Sequence, residues 1–514
     1  MATPGEKLAE ALNSLKHLQD SGEVALHTSE LPNDQRKLLV KRGFLREVSK
    51  GWYIPADPQQ NPGDSTAWYS SYWDFFAKFL ENKYGSEWSI SPEQSLLIQA
   101  GNWSVPTQLI VRSVKANNTP MQLPHHSSLF NLKAEIPENA TTVINGIRMY
   151  LPQAALVYSS PAIYASNPID TRTALSMIRD ASELLPLLLD NGHTRIAGRL
   201  AGAFRNIGRE KIAKDIIDAM KAAGFDTRES DPFSYRLAID LSSRERSPQV
   251  NRIKLIWQEM REVVIGNFPK APGLPRDIAA YMKEVDEIYV TDAYHSLSIE
   301  RYRVTPELIE RVRSGEWDKA GNKEDKQQKD AMAARGYWQA FQEVKATINA
   351  ILNGKNPGKQ LYEDHAKWYR ELFDPSVAAG ILRASDLAGY RNNQVYIGGS
   401  KHVPLSVEAM RDVMPVFFEL LETEPEASVR AVLGHFIFVF IHPYMDGNGR
   451  IGRFLMNAML ASGGYPWTVI PVEKRSLYME SLEKASAEQD IKPFVKFLAH
   501  LVELGMQGHP EAHI

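Results

Sequence analysis

The apolar run from Val432 to Ile441 is followed, after a short polar loop, by Phe454-Leu455-Met456-Asn457-Ala458-Met459-Leu460 at helical spacing. That pattern predicts two buried helices joined by a turn at Asp446-Gly447-Asn448-Gly449. Tyr337, Phe341, Val344, Ile348 and Ile351 recur with the same period upstream, and Tyr478, Leu482 and Ala485, then Ile491 to Gly505, continue it downstream. Arg391 to Pro404 departs from it, predicting a hairpin with a tip at Gly398-Gly399. The N-terminal half is more mixed. Leu8, Leu12, Leu15 and Leu18 space as a helix, Arg36 to Arg42 forms a second closed by Gly43, and Phe44–Val48 with Trp52–Ile54 predicts a hairpin turning at Lys50-Gly51. Trp68, Tyr69, Tyr72, Trp73, Phe75 and Phe76 make an aromatic helical stripe that reads as core. Leu109–Val111 reads as a strand, and Asn145-Gly146 marks a tight hairpin between Val143 and Tyr150.

These patterns predict a mainly α chain in five parts. Residues 1–56 read as a winged helix-turn-helix, 57–165 as a mixed α+β region and 166–230 as helical hairpins. Residues 231–505 read as an all-helical domain with one hairpin, the boundary set by Asp231-Pro232, and residues 506–514 as a frayed tail. The polar tract from Asp318 to Asp330 reads as a flexible surface insertion.

Composition narrows the function classes. With 514 residues and 43% hydrophobic content the chain can bury several cores, and a net charge of -3 argues against wholesale coating of nucleic acid or membrane. There is no cysteine, which removes disulfide and thiol chemistry. No apolar run is long enough to span a bilayer and the first residues lack an apolar signal core, so the cytoplasm is the expected compartment.

The chemistry gathers in His442-Pro443-Tyr444-Met445-Asp446-Gly447-Asn448-Gly449-Arg450-Ile451-Gly452-Arg453. A glycine-flanked helix start offers unpaired main-chain N–H groups and a positive dipole end to an anion. Arg450, Arg453 and Asn457 share the helix face that continues this cradle, as suits a polyphosphate. Asp446 is a hard oxygen ligand of the kind Mg2+ prefers beside phosphates, and His442 is the side chain that titrates near neutrality. The string resembles the signature of the Fic family, H-P-F-x-D/E-G-N-G-R-x-x-R, with Tyr444 in place of Phe. The resemblance implies transfer of AMP from ATP to a hydroxyl of a target protein's Ser, Thr or Tyr. It assigns His442 as base and Asp446 as the Mg2+ ligand, with Gly447, Asn448, Gly449, Arg450 and Arg453 around the phosphates. Tyr478 stands where the family often places an aromatic beside adenine, although core packing accounts for it equally.

Two further stretches extend the likeness. Ser296-Leu297-Ser298-Ile299-Glu300-Arg301, in a helix near 286–302, resembles the family's inhibitory helix, S/T-x-x-x-E-G/N, with Arg301 in place of Gly or Asn. It implies that Ser296 and Glu300 restrain the site by gripping Arg453, because a carboxylate on that guanidinium consumes donors a phosphate needs. Val395, Tyr396, Ile397 and Gly398 resemble the flap that holds a target segment main chain to main chain. The N-terminal half resembles AbiEi-type antitoxin regulators in its glycine, apolar, basic, glycine, aromatic, tyrosine wing; separately, Arg36, Lys37, Lys41 and Arg42 with Lys50 at the wing tip suit DNA phosphates, or else form a solvated face of a protein-docking module. The expected function is autoinhibited protein adenylylation, including of the chain itself. The alternatives are removal of AMP by the same site, transfer of another nucleotide, or a DNA-binding regulator of a toxin-antitoxin-like system. A homodimer is compatible with both halves.

Overall fold

The computed structural model describes residues 3–59, 63–190, 192–235, 247–315, 329–387 and 389–514. Most of the predicted insertion at Asp318–Asp330 lies outside them. The chain divides into two compact units, one of Met1–Pro248 with Tyr396–Val403 and one of Gln249–Val395 with Pro404–Ile514. Arg228 to Phe233 packs inside the first unit, where Ser230 N–H donates to the Gly198 carbonyl at 3.1 Å and Glu229 pairs with Arg205 at 2.6 Å.

The first unit opens with the helix Pro4–Asp20, started by a reciprocal cap: Thr3 Oγ1 accepts from Glu6 N–H and the Glu6 carboxylate from Thr3 N–H, with Pro4 at the first helical position. The helix Asn33–Lys41 follows, and β1 (Leu26–His27), β2 (Leu45–Ser49) and β3 (Trp52–Pro55) pair antiparallel in the order β1-β3-β2. Lys37, Lys41, Arg42 and Lys50 are exposed. Arg36 is held, donating to the Thr28 carbonyl at 2.8 Å and to Asn33 Oδ1 at 2.7 Å beside the Tyr53 ring. On the helix Thr66–Tyr84, Trp68, Tyr72, Phe75 and Phe76 are buried together as the stripe predicts. They face a sheet of β4 (Ser89–Ile90), β5 (Gln108–Ser113), β6 (Thr119–Gln122) and β7 (Ser128–Lys133), ordered β4-β5-β7-β6 with β5 and β7 parallel. The hairpin of β8 (Thr141–Ile144) and β9 (Ile147–Tyr150) turns at Asn145 and Gly146, whose φ of 51° and 76° are the left-handed pair a two-residue turn requires.

The second unit is helical among its described residues. Its centre is the helix Ala427–Ile441, buried along almost its whole length, packed on Asn448–Ala461. Lys329–Leu352 and Pro357–Ala378 form an antiparallel pair beside them. Gly336 permits that pairing, since a Cβ there would stand 1.9 Å from the Leu372 carbonyl oxygen. Thr305, Pro306 and Gly315 delimit the helix Pro306–Ser314 as cap, first-turn proline and left-handed terminator.

Two expectations need correction. The Arg391–Pro404 stretch has a turn, with Ser400 N–H donating to the Ile397 carbonyl at 3.1 Å, but its arms form no strand ladder. Pro404 has no N–H to give, and side chains span the arms instead: Gln394 Nε2 donates to the Pro404 carbonyl at 2.9 Å, and Arg391 takes the carbonyls of Asn393 and Leu405. The tail after Gly508 is docked rather than frayed, with Ala512 only 5% exposed.

Candidate active site

His442 ends the central helix in a left-handed conformation, φ 56°, which turns the chain into the loop. Its Nδ1 lies 3.1 Å from the Val439 carbonyl. A carbonyl only accepts, so Nδ1 carries the proton and Nε2 presents its lone pair. Burial, with Arg391 nearby, pulls its pKa down to about 4 against smaller upward pulls from Glu300 and Asp446, so the ring is neutral near pH 7. Arg391, itself 1% exposed, fixes the backbone here: its Nε donates to the His442 carbonyl at 2.8 Å and its N–H to the Pro443 carbonyl at 2.9 Å. Sequence reasoning gave Arg391 no role; a lone arginine opening a glycine-tipped stretch was its only signal.

The loop is held from within. Asn448 Oδ1 accepts from Tyr444 N–H at 2.9 Å and its Nδ2 donates to the Tyr444 carbonyl at 2.8 Å, so this side chain shapes the turn. Asn448 is 2% exposed, and a phosphate would meet its main chain, not its amide. Tyr444 anchors the loop by stacking on Tyr369, ring centroids 3.9 Å apart at 5°, while its buried hydroxyl has no partner among the described residues. Gly447 caps the next helix with φ 81°. Asp446 Oδ1 accepts from Gly447 N–H at 2.6 Å, and its carboxylate is 67% exposed at the mouth, 3.4 Å from Arg450 Nη2. A Mg2+ ion held mainly by phosphates and water needs one such carboxylate, so the donor set fits it.

Arg450 is 1% exposed, with its guanidinium 5.1 Å from the Tyr302 ring centroid and 4.9 Å from that of Phe373, and its Nε without a partner among the described residues. Arg453 is spoken for. Its Nε donates to Ser296 Oγ at 2.8 Å, and its Nη2 to the Ser296 carbonyl at 3.0 Å and to Glu300 Oε1 at 2.7 Å. Burial would raise the Glu300 pKa, but Arg453 and Arg450 outweigh it and hold the carboxylate below its ordinary range. Gly449 makes room, because a Cβ there would lie 2.3 Å from Glu300 Oε1. Glu300 thus sits over the helix start that an anion would use.

The helix Tyr289–Ile299, which Glu300 ends as its C-cap, is anchored at Asp292, which accepts from Tyr337 Oη at 2.6 Å and Trp467 Nε1 at 3.0 Å and whose pKa burial raises to about 6. Its end explains the departure at Arg301. Tyr302 N–H donates to the Leu297 carbonyl at 3.0 Å and Arg301 N–H to that of Ser298 at 2.9 Å, the bond pair of a Schellman terminus. Arg301 is therefore left-handed, φ 66°, the conformation that glycine or asparagine adopts with least strain.

Tyr478 is 1% exposed, its hydroxyl 2.7 Å from His435 Nε2 and beside Arg453, so it supports the arginine from within the core. His435 is itself fully buried in the core. Val395 remains with the helical unit, whereas Tyr396, Ile397 and Gly398 fall in the first unit, where Gly399 N–H donates to Thr66 Oγ1 at 3.0 Å and Val105 N–H to the Lys401 carbonyl at 2.8 Å.

A base with a free lone pair, a helix start opened by glycine and two buried arginines define an anion site suited to phosphoryl or nucleotidyl transfer. Residues 359–460 match the Fic/DOC family, so the chain carries a Fic domain. It is 43% identical over 118 residues to a protein adenylyltransferase Fic of Drosophila willistoni, covering 22% of this chain and 23% of that protein. It is 42% identical over 118 residues to the Drosophila melanogaster protein of the same name, again 22% and 23%. The chain thus spans about a quarter of the length of these curated relatives. Among solved structures, Fic-1 (residues 134–508) from C. elegans aligns with 68% of this chain and 98% of its own at 16% identity and a TM-score of 0.37.

Proposed function

We propose that the second unit is a protein adenylyltransferase restrained by its own Glu300. The observation that carries the reading is the loop: neutral His442 offers Nε2 beside a helix start flanked by buried Arg450 and by Arg453, which Glu300 holds. The hydroxyl oxygen of a target side chain attacks the α-phosphorus of ATP. The bond from that phosphorus to the bridging oxygen breaks, pyrophosphate leaves, and the hydroxyl proton passes to His442 Nε2. Gly447, Asn448 and Gly449 receive the phosphates on the main chain, and the two arginines balance the charge of the leaving group. Asp446 would hold Mg2+, which when bound neutralises phosphate charge.

Glu300 acts as the brake because it occupies the Arg453 guanidinium at 2.7 Å while Ser296 takes its other face. Targets, among them copies of the chain itself, dock along the Val395–Gly398 main chain. The test uses ATP labelled at either the α- or the γ-phosphate. Label from the α position on protein, with none from γ, is the expected result, and label from γ on protein sinks the reading.

For the first unit we infer a winged helix that binds DNA, on the strength of four exposed cations, Lys37, Lys41, Arg42 and Lys50, along its second helix and wing. Retention on duplex DNA that weakens steeply with salt is expected. Salt-insensitive or absent retention would make this half a protein-docking module.

A further inference from the structure

The helix that carries Ser296 and Glu300 also carries His295, 1% exposed and pointing away from Arg453 toward two other segments. Its Nδ1 lies 3.1 Å from the Val472 N–H. An N–H only donates, so Nδ1 is the acceptor, and Nε2 must carry the proton that it shares with the His513 carbonyl at 3.1 Å. Burial favours this neutral form. Both ring nitrogens of a buried side chain are thus satisfied by main-chain groups, one in the turn Val472–Lys474 and one in the tail.

The tail is seated by more than this bond. Ala512 is 5% exposed in a groove formed with Ile288, Trp467, Val469 and Leu501, where a small side chain fits. Glu511 pairs with Lys474 at 2.6 Å. One residue further on, Arg475 Nε donates to the Ile299 carbonyl at 2.7 Å, capping the end of the same helix immediately before Glu300. Val472, Lys474 and Arg475 therefore tie tail and helix together within four residues.

We propose that the segment Gly508–His513 is a strap that holds the inhibitory helix in register with Arg453, so that freeing the strap frees Glu300. This rests on the reading of the site as an adenylyltransferase braked by Glu300. The strap is a regulatory element acting on position; it touches neither nucleotide nor target. A partner that drew it away would activate the enzyme without entering the site.

The test compares the full chain with one ending at Gln507, each with and without Glu300→Gly, in two measurements. Amide hydrogen exchange in residues 289–299 is expected to quicken about tenfold on truncation, the size that losing one or two hydrogen bonds and their packing gives, with protection in residues 427–461 retained. Labelling by α-labelled ATP is expected to rise by a similar factor on truncation of the wild type, and to change little on truncation of Glu300→Gly. Unchanged exchange in residues 289–299 overturns the proposal whatever the labelling shows. Quickened exchange without increased labelling, while Glu300→Gly labels strongly, also overturns it. If Glu300→Gly fails to label, the adenylyltransferase reading falls separately and the exchange result still decides whether the strap holds the helix. Should truncation lower protection throughout residues 427–461, the surface double variant Lys474→Ala/Glu511→Ala carries the same two measurements with the same deciding outcomes.

Discussion

Replacing Arg301 by glycine is expected to tighten the brake proposed for Glu300. Arg301 occupies the left-handed position of the helix end at φ 66°, immediately after Glu300, with both Schellman bonds formed. A non-glycine residue there costs roughly 1–2 kcal/mol, and the greater freedom of glycine in the unfolded chain returns about half of the gain, leaving a net stabilisation of roughly 0.5–1 kcal/mol. That corresponds to an about two- to fivefold shift toward the state in which Glu300 holds Arg453. Arg301 also crowds Arg475, whose pKa burial lowers first and Arg301 lowers further, so losing the charge helps Arg475 cap the helix. Alanine separates the two effects, because it removes the charge and keeps the strain. Basal labelling from α-labelled ATP should fall two- to fivefold with Arg301→Gly, by a similar factor with Arg301→Asn, and by less with Arg301→Ala. Labelling that rises with Arg301→Gly, or falls equally with Arg301→Ala, would refute the strain argument.

Tyr444→Phe removes a buried hydroxyl that has no partner and keeps the ring stacked on Tyr369, so the thermal transition should hold or rise, by up to about 1 kcal/mol of stability, with labelling retained. Asn448→Ala leaves the buried Tyr444 N–H and carbonyl unpaired, which costs about 2–4 kcal/mol, and labelling in the Glu300→Gly background should drop at least about tenfold as the loop loses its shape. His365 and His435 are buried and neutral, burial having pulled each pKa from 6.5 to about 4. Between those values the unfolded chain binds more protons than the native one. Each therefore contributes about 3 kcal/mol that is complete above pH 6.5 and is lost as pH falls through about 4. Thermal scans should show a transition temperature that declines over that window, and a flat profile would refute these assignments.

The candidate loop at residues 442–453 is legible because its chemistry is local: the glycines, the arginines and their helical spacing stand within twelve consecutive residues. The buried stripe of Trp68, Tyr72, Phe75 and Phe76 and the Asn145-Gly146 turn were legible for the same reason, one through period and the other through backbone conformation. Ser296 and Glu300 became readable through resemblance, since nothing in the local sequence indicates that a helix 153 residues upstream meets Arg453. The contact of His295 with His513 spans 218 residues and runs through a main-chain carbonyl, which leaves no side-chain signature to read. Arg391 leaves no sequence signature for the same reason, its partners being carbonyls as well. The form of the stretch 391–404 is not legible, since strand propensity cannot reveal that Gln394 and Arg391 take up the carbonyls a ladder would use.

The measurement that bears most directly on the central claim is incorporation of α-labelled AMP, with Mg2+ present, into the wild type, Glu300→Gly, His442→Ala and the double variant, each alone and with added cell lysate. Strong labelling by Glu300→Gly, weak labelling by the wild type and none by either variant lacking His442 is the predicted pattern. Absence of labelling in Glu300→Gly while it binds the nucleotide, or labelling that survives His442→Ala, would contradict it.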